Sequence, residues 1–427
     1  MKKAAIMAAG DSTRMMPLSS NLPKHLLPIG GKPLIFHTLD AFHKAGIEET
    51  LIIYGYQGDK LMAAIDAQDW GNMNVQYTEQ SERRGTAHAA GYARKFAGDD
   101  DILLLNGDVM AGSEVIGDVI KYHKQGKYDL TVSVFPVDDP SVYGIFEIEN
   151  GKAVNLVEKP TPKQTSSNLA NAGFYAVNSD LWDAIERTEL SKRNEYELTD
   201  SVKMVMKNDN TGGYVIESWW VDIGKPWDLL EANKYVLDEM STEIRGEVES
   251  NATVKGTVVI QEGALVKNGA YIEGPVYIGE NSVVGPNCLV RAHSSFSRKV
   301  KIGNAVEIKN SIIMDGTNVG HLSYVGDSIL GHRVNFGAGT ITANLRHDNR
   351  DVKVTVKGKR ISSGRRKLGA IIGDDVKTGI GTSISTGAVL HQGSKTGPGV
   401  IVDRDIQPYK LVMAEQPKKI FNLDEET

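Results

Sequence analysis

A repeat of six residues in the second half of the chain restricts its fold more than any other feature. An apolar residue recurs at every sixth position from 254 to 308, and a small or aliphatic residue follows four places after each of them up to 302. Helices repeat every 3.6 residues and strands every two, so neither produces this period. Stacked coils of a parallel β-helix do produce it, because each coil buries its face against its neighbours. The repeating positions are Val254, Ile260, Val266, Ile272, Ile278, Val284, Val290, Phe296, Ile302 and Ile308.

The repeat is interrupted in an informative way. Its phase slips by one residue twice, and it resumes at Ile372 after a segment, residues 346–367, in which nine residues are lysine or arginine. This segment has two interpretations, a solvated charged loop or a site for a phosphate-rich ligand such as coenzyme A. The slips lie between Ile308 and Ile313 and between Val325 and Leu330.

The first half of the chain has a different pattern, in which short apolar runs alternate with helical periodicity. This order predicts an α/β domain with a mainly parallel sheet and helices on both faces, whose ligands bind at the carboxyl ends of the strands. Gly10–Arg14 and Gly107-Asp108 follow predicted strands, so both belong to that edge. The predicted strands are Ala4–Met7, Leu51–Tyr54, Val75–Thr78 and Ile102–Leu105, and the predicted helices are Leu34–Ala45, Gly58–Ala67, Thr86–Phe96 and Asp228–Met240.

Composition excludes several classes of partner. The net charge is −6, which argues against binding to nucleic acid or to an anionic membrane. No apolar run approaches the length that spans a bilayer. Cys288 is the only cysteine, so no intrachain disulfide can form, as expected in a reducing compartment. These features predict a cytoplasmic protein.

The loop after the first strand carries the strongest chemical signal. A tight turn at Gly10 offers backbone N–H groups to phosphate oxygens, and Arg14 and Lys24 add positive charge there. The combination with Leu22-Pro23-Lys24 resembles the signature of the nucleotidyltransferases that make nucleotide sugars, although Ser12 stands where that family has glycine. We expect this serine to change the loop geometry slightly without removing the site.

The resemblance extends along the first half and implies roles for further residues. It implies Mg²⁺ ligands at Asp108 and Asp222, catalytic roles for Arg14 and Lys24, and a base-reading amide at Gln80. Arg83-Arg84 departs from the commoner pattern and leaves the choice between UTP and dTTP open. The implied nucleotide contacts are Ala8, Ala9, Gly10, Gln80, Gly85 and Thr86, and the implied sugar-phosphate contacts are Gly144, Glu158, Lys159 and Asn171.

A second resemblance covers the repeat region. The segment His321-Leu322-Ser323-Tyr324, followed by Asn335 to Thr340 and Asn344, resembles the acetyltransferase half of the bifunctional glucosamine-1-phosphate acetyltransferase/N-acetylglucosamine-1-phosphate uridyltransferase family. The resemblance implies that His321 is the general base. Arg350 occupies a position that is usually lysine, and Gly364–Gly373 resembles archaeal relatives with a broader sugar range. The implied substrate contacts are Arg291, Lys309, Tyr324 and Asn335, and the implied acetyl-CoA contacts are Ala338 and Asn344.

Together these patterns predict an α/β Rossmann-like nucleotidyltransferase domain at 1–228, a helical linker at 229–250 and a left-handed parallel β-helix at 251–427. The expected activity is acetylation of glucosamine 1-phosphate by acetyl-CoA, followed by Mg²⁺-dependent coupling of the product to UTP. The expected assembly is a homotrimer. Two alternatives stay open: a monofunctional UDP- or dTDP-sugar pyrophosphorylase whose β-helix only trimerises, and a non-enzymatic regulatory subunit.

Overall fold

The computed structural model describes residues 1–421, which form two compact units. The first unit contains residues 1–15 and 21–235, and the second contains residues 16–20 and 236–421. The helix Asp228–Asp238 therefore contains the point at which the units divide. Within residues 1–421, every helix is too short or too polar to cross a bilayer.

A nine-stranded mixed sheet forms the centre of the first unit. Its first four strands are parallel and bear out the predicted α/β pattern. Beyond them the sheet is mixed, because Leu169–Val177 runs antiparallel to both of its neighbours, whereas Leu130–Pro136 and Thr211–Val215 run parallel to each other. In order across the sheet, the strands are Asn74–Glu79, Glu49–Tyr54, Lys3–Ala8, Ile102–Asn106, Leu169–Val177, Leu130–Pro136, Thr211–Val215, Lys152–Glu158 and Gly144–Glu149.

Helices cover both faces of this sheet, and the alternation of side chains explains why. Leu103 and Leu105 belong to one buried cluster, whereas Ile102 and Leu104 belong to another on the opposite face. The predicted helix Thr86–Phe96 is broken in two, because the N–H groups of Tyr92 and Ala93 bond three residues back instead of four. The helices are Leu34–Lys44, Gly58–Asp66, Thr86–Gly91, Arg94–Ala97, Val115–Gly126, Ser179–Glu186, Leu198–Met206 and Asp228–Asp238.

Short elements surround the carboxyl edge of the parallel strands. Val109–Ala111 pairs antiparallel with Trp220–Asp222, directly after the strand Ile102–Asn106. The remaining short elements are the 3₁₀ turns Thr13–Met15, Lys24–Leu26 and Pro140–Val142 and the paired strands Pro28–Ile29 and Lys32–Pro33.

The second unit consists mainly of three parallel sheets, an arrangement consistent with a β-helix. The first sheet contains Glu243–Ile244, Val258–Ile260, Val276–Ile278, Ser294–Phe296, Ile312–Ile313, Ile329–Leu330, Ile371–Ile372 and Val389–Leu390. The second contains Glu247–Val248, Leu265–Val266, Val283–Val284, Lys301–Asn304, Asn318–His321 and Asn335–Phe336. The third contains Thr253–Lys255, Tyr271–Glu273, Leu289–Val290, Glu307–Lys309, Tyr324–Gly326, Ile341–Thr342, Ser383–Ile384 and Ile401–Val402. Lys395–Thr396 pairs separately with Leu411–Val412.

The period of six is explained by the length of a coil. Val258 pairs with Val276, which is 18 residues further on, so each of the three sides takes six residues. The repeating residues from Ile260 to Ile308 are buried in one continuous cluster, with Val254 partly buried at its end. The interior of the coils is therefore the apolar series seen in the sequence.

The two slips and the insertion all fall at one corner of the coils. Ile312 pairs with Ile329, only 17 residues further on, because the corner between the third and first sheets is one residue shorter there. In the next coil Ile329 pairs with Ile371, 42 residues further on, because the insertion leaves from the same corner. The insertion is not a simple loop, since Lys353–Val356 and Lys359–Ser362 form an antiparallel hairpin with Val354 buried.

Candidate active sites

Two aspartates meet at the carboxyl edge of the sheet in the first unit. The strands that precede Gly10 and Gly107 are direct neighbours, and the Gly107 N–H donates to the Met7 carbonyl at 2.9 Å. Asp222 pairs in register with Val109, and the Ile223 N–H donates to the Asp108 carbonyl at 2.8 Å. Asp108 and Asp222 thus come together although 114 residues separate them in sequence.

Two cations face this acidic pair. The Lys24 ammonium forms an ion pair with Asp108, and the lysine side chain is only 9 % exposed. Arg14, in the preceding loop, is close enough to influence the ionisation of both Asp108 and Asp222. Ser12 is held at a φ of +56°, a conformation that favours glycine, and its hydroxyl accepts from the Lys24 N–H at 3.2 Å. The serine therefore fixes the loop by a hydrogen bond that glycine lacks.

The two carboxylates have opposite pKa shifts. Burial works against ionisation of Asp108, but the adjacent Lys24 and the nearby Arg14 hold its pKa below the usual value. Burial, together with the negative charges of Asp108 and Asp228, raises the pKa of Asp222 to about 7. Ionisation of Asp222 beside Asp108 is consequently disfavoured, and a bound divalent cation would favour it.

The donor set suits one kind of metal. Residues 1–421 contain no cluster of three or more histidine, cysteine or carboxylate side chains that would enclose an ion. Mg²⁺ characteristically takes one or two carboxylates and completes its shell with water and substrate phosphates. Asp108 and Asp222 fit that requirement. Asp228 supports them, because its carboxylate accepts from the N–H groups of Gly224 and Lys225 at 3.1 and 2.7 Å.

The predicted nucleotide contacts follow neighbouring strands at the same edge. Ala8 and Ala9 are buried, and Gly10 is exposed with open space around its α-carbon. Gly85 has a φ of +115°, and a Cβ there would lie 2.4 Å from the Tyr196 carbonyl oxygen, so only glycine fits. The remaining two contacts, Gln80 and Thr86, form hydrogen bonds to His88 and to the Leu198 N–H, respectively.

The predicted sugar contacts lie on adjacent strands. Gly144 pairs directly with Glu158, and a Cβ at Gly144 would approach the Glu158 carboxylate to 2.9 Å. The Lys159 N–H donates to the Tyr143 carbonyl at 2.8 Å. Burial and the nearby Asp222 raise the pKa of Tyr143 to about 12, which places this tyrosine near the acidic pair.

The side chain of Asn171 has a hydrogen-bond partner within the protein. Its amide bonds the Tyr175 hydroxyl at 2.7 Å, next to a bulge in the strand Leu169–Val177. The side chain is therefore already oriented by a buried neighbour.

In the second unit, four predicted acetyltransferase residues gather at the shortened corner. Lys309 and Asn344 both contact the Asp327 carboxylate, at 3.5 and 2.6 Å, and Asn344 also donates to the Tyr324 hydroxyl at 3.1 Å. Arg291 lies one coil earlier, paired with Glu307 at 3.1 Å. We call this group the corner cluster: Arg291, Glu307, Lys309, Tyr324, Asp327 and Asn344.

The other three predicted residues lie earlier in their coils, on the second sheet or at its corner with the third. His321 ends a strand of the second sheet, and its carbonyl accepts from the Gly339 N–H at 3.2 Å, next to Ala338. Asn335 lies one coil further on, paired with Asn318. Within residues 1–421, no hydrogen bond joins the exposed His321 side chain to the corner cluster. Tyr324, which begins the next strand of the third sheet, is the member of the corner cluster nearest to His321 in sequence.

Sequence reasoning missed Asp327, Asp228 and His88. The sequence does contain an indication of Asp327, because this residue stands at the second phase slip of the repeat. The corner is one residue shorter there, and the Asp327 side chain turns inward and is only 4 % exposed. Asp228 and His88 have no such indication, since their roles depend on contacts with a loop and with Gln80 that arise only in the folded chain.

The hairpin packs against other coils of the second unit and carries exposed cations. The backbone of Lys353 approaches Gly387, where a Cβ would lie 2.4 Å from the Lys353 carbonyl oxygen. Arg360 lies 3.9 Å from Asp405. The hairpin therefore rests on later coils, and Lys357 and Lys359 at its tip are exposed.

Comparisons with known proteins give a family match for each half of the chain. A nucleotidyl transferase family model matches residues 3–239, and a GMPPB C-terminal domain model matches residues 272–392. A UDP-glucose pyrophosphorylase structure with UDP-glucose shares the fold of the first unit (TM-score 0.51, 23 % identity, covering 56 % of this chain and all of that one).

Two relatives match the chain almost from end to end. The bifunctional protein GlmU of Methanocaldococcus jannaschii is 40 % identical over 96 % of this chain and 97 % of its own length. The bifunctional sugar-1-phosphate nucleotidylyltransferase/acetyltransferase of Sulfurisphaera tokodaii is 40 % identical over 95 % of this chain and 98 % of its own. The chain therefore belongs to the family of bifunctional GlmU-type enzymes, which combine a nucleotidyltransferase with an acetyltransferase.

Proposed function

We propose that the first unit couples N-acetylglucosamine 1-phosphate to UTP, giving UDP-N-acetylglucosamine and pyrophosphate. The observation that carries this proposal is the pairing of Asp108 and Asp222 beside the buried Lys24. A sugar-phosphate oxygen attacks the α-phosphorus of UTP, and the bond to the β-phosphate oxygen breaks. Arg14 and Lys24 stabilise the charge that accumulates on the transferring and leaving phosphates.

Asp108 and Asp222 would hold Mg²⁺. When bound, this ion reduces the repulsion between the negatively charged triphosphate and the attacking sugar phosphate. Ala8, Ala9 and Gly10 would offer backbone groups to the phosphates. Gln80, Gly85 and Thr86 would contact the base and ribose. Uracil and thymine present the same imide edge to an amide, so dTTP is the nucleotide to test beside UTP.

The sugar phosphate would lie along the adjacent strands. Glu158 accepts from sugar hydroxyls, Lys159 contacts the phosphate, and Asn171 donates to the acetyl or hydroxyl oxygen. Gly144 leaves the space that the sugar ring needs, since any side chain there would meet Glu158.

For the second unit we propose N-acetylation of glucosamine 1-phosphate. The substrate would lie across the third sheet, with its phosphate at Arg291 and Lys309 and its amine towards His321. The amine nitrogen attacks the thioester carbonyl of acetyl-CoA, the C–S bond breaks, and His321 takes the proton that the nitrogen releases. Tyr324 and Asn344 orient the sugar, and the backbone near Ala338, with Asn335, contacts the thioester.

The hairpin supports acetyl-CoA as the acetyl donor. Its segment, residues 346–367, contains nine basic and two acidic residues, in a chain whose net charge is −6. Exposed Lys357 and Lys359 at the tip suit the phosphates of the coenzyme A nucleotide. We favour this interpretation over a purely solvated loop because the hairpin is packed against later coils and so holds its charges in place.

We further propose that the coils are left-handed and that three chains assemble into a closed trimer. Hexapeptide coils with three flat sides provide identical surfaces that suit threefold symmetry. Light scattering should give a mass near three times that of the chain. A fully active monomer would contradict the assembly.

One pair of assays tests both activities. Purified protein is incubated with UTP or dTTP and several sugar 1-phosphates, and pyrophosphate release is measured. Acetyl-CoA with glucosamine 1-phosphate or galactosamine 1-phosphate is then assayed for thiol release. Pyrophosphate without any thiol release would favour the monofunctional alternative, in which the second unit only assembles subunits.

A further inference from the structure

We propose that His88 determines the base preference of the nucleotidyltransferase by fixing the orientation of the Gln80 amide. The inference rests on the proposed role of Gln80 as the base-reading residue. Gln80 lies at the end of the strand Asn74–Glu79 and is only 5 % exposed. His88 lies in the helix Thr86–Gly91, which begins six residues after Gln80.

The hydrogen bonds of Gln80 leave one orientation for its amide. The Gln80 Nε2 lies 3.4 Å from the Gly85 carbonyl oxygen, which can only accept a hydrogen bond. The same nitrogen lies 3.0 Å from the His88 Nδ1. The Gln80 NH₂ group must donate to the Gly85 carbonyl, so the same group also donates to His88. The His88 Nδ1 is therefore the acceptor, and the hydrogen of the ring lies on Nε2.

This orientation leaves the Gln80 carbonyl oxygen for a ligand. Within residues 1–421 the Gln80 Oε1 has no hydrogen-bond partner. This oxygen is nevertheless not sealed from solvent, so a ligand can reach it. A carbonyl oxygen accepts from the N3–H of uracil or thymine. It meets a lone pair on N3 of cytosine instead, so the fixed amide favours the imide bases and discriminates against CTP.

His88 is itself held in place. Its ring makes an edge-to-face contact with Tyr92, with centroids 5.3 Å apart and an angle of 90°. The Ala87 N–H donates to the Tyr196 carbonyl at 2.8 Å and anchors the start of the helix. If the acceptor at His88 is lost, only the longer contact with Gly85 resists rotation of the amide, and a rotated amide presents its NH₂ group to N3 of cytosine.

The test compares the ratio of kcat/KM for UTP to that for CTP, with N-acetylglucosamine 1-phosphate as the acceptor and pyrophosphate release as the readout. His88→Phe and His88→Leu remove the acceptor, and the former keeps a ring against Tyr92. His88→Asn keeps an acceptor oxygen near the position of Nδ1. We expect the ratio to fall about tenfold in both acceptor-free variants and to stay within about twofold of wild type in His88→Asn.

A wild-type ratio in the acceptor-free variants, with unchanged thermal melting, would overturn the proposal while leaving the proposed function intact. Gln80→Ala separates the two claims. If that variant also keeps the wild-type ratio, Gln80 does not read the base, and the assignment of Gln80 fails together with that of His88. A purely structural role for His88 predicts lower kcat/KM for both nucleotides with no change in their ratio.

Discussion

Metal binding at the first site should depend on the proton held by Asp222. Burial and the charges of Asp108 and Asp228 raise the Asp222 pKa to about 7, so the carboxyl is about nine-tenths protonated at pH 6 and about nine-tenths ionised at pH 8. A metal must displace that proton, so its apparent affinity rises with pH. Between pH 6 and pH 8 we expect roughly a tenfold gain, about 1.4 kcal/mol.

The assay must avoid protons that belong to the nucleotide. UDP-N-acetylglucosamine carries no phosphate group that titrates between pH 6 and 8, so we would saturate the enzyme with it and measure free Mn²⁺ by electron paramagnetic resonance. Asp222→Asn should bind the ion weakly and without this pH dependence. Asp228→Asn removes one of the raising charges and should move the midpoint to lower pH. Equal affinity of the wild type at pH 6 and pH 8 would refute the reasoning.

Four other variants test the two activities separately. Asp108→Asn should abolish pyrophosphate release and leave thiol release nearly intact, because the residue belongs to the first unit; parallel loss of both in a folded protein would argue against separate sites. His321→Ala should lower kcat for acetyl transfer by about 10²–10⁴-fold and keep uridylyl transfer within about twofold, and a wild-type rate would show that it is not the base. Asp327→Asn removes the charge that orients Lys309 and should raise KM for glucosamine 1-phosphate more than it lowers kcat. Replacing Lys357 and Lys359 together by glutamine should raise KM for acetyl-CoA severalfold at low salt, an effect that vanishes if the hairpin is only a solvated arm.

The coils were predictable because one side of each is set by six consecutive residues. The repeating apolar positions lie in the interior, and both slips correspond to coils of 17 residues. The hairpin was not predictable, since Lys353–Val356 and Lys359–Ser362 are separated by a two-residue turn within a segment dominated by charge. Its apolar Val354 is buried only because the hairpin folds back onto the coils.

In the first unit, the limits of prediction follow from sequence distance. The parallel strands and the loop from Gly10 to Lys24 have local signatures. The antiparallel placement of Leu169–Val177 depends on pairing with strands far away in sequence. The resemblance placed Asp108 and Asp222 in one site, but the opposite shifts of their pKa values depend on burial and on Lys24, which only the folded structure provides.

The insertion at the shortened corner shows how this scaffold can acquire new segments. Leu345 and Lys367 form an antiparallel bridge at the base of the inserted segment, so the chain leaves and re-enters the coil at almost the same point. Ile329 and Ile371 then stack in register, as if the intervening segment were absent. The entropy lost on closing a loop grows only slowly with the length of the loop. Segments of other lengths grafted between Leu345 and Lys367 should therefore reduce the stability of the coils only slightly. The corner is thus a natural position for exchanging one inserted segment for another by recombination.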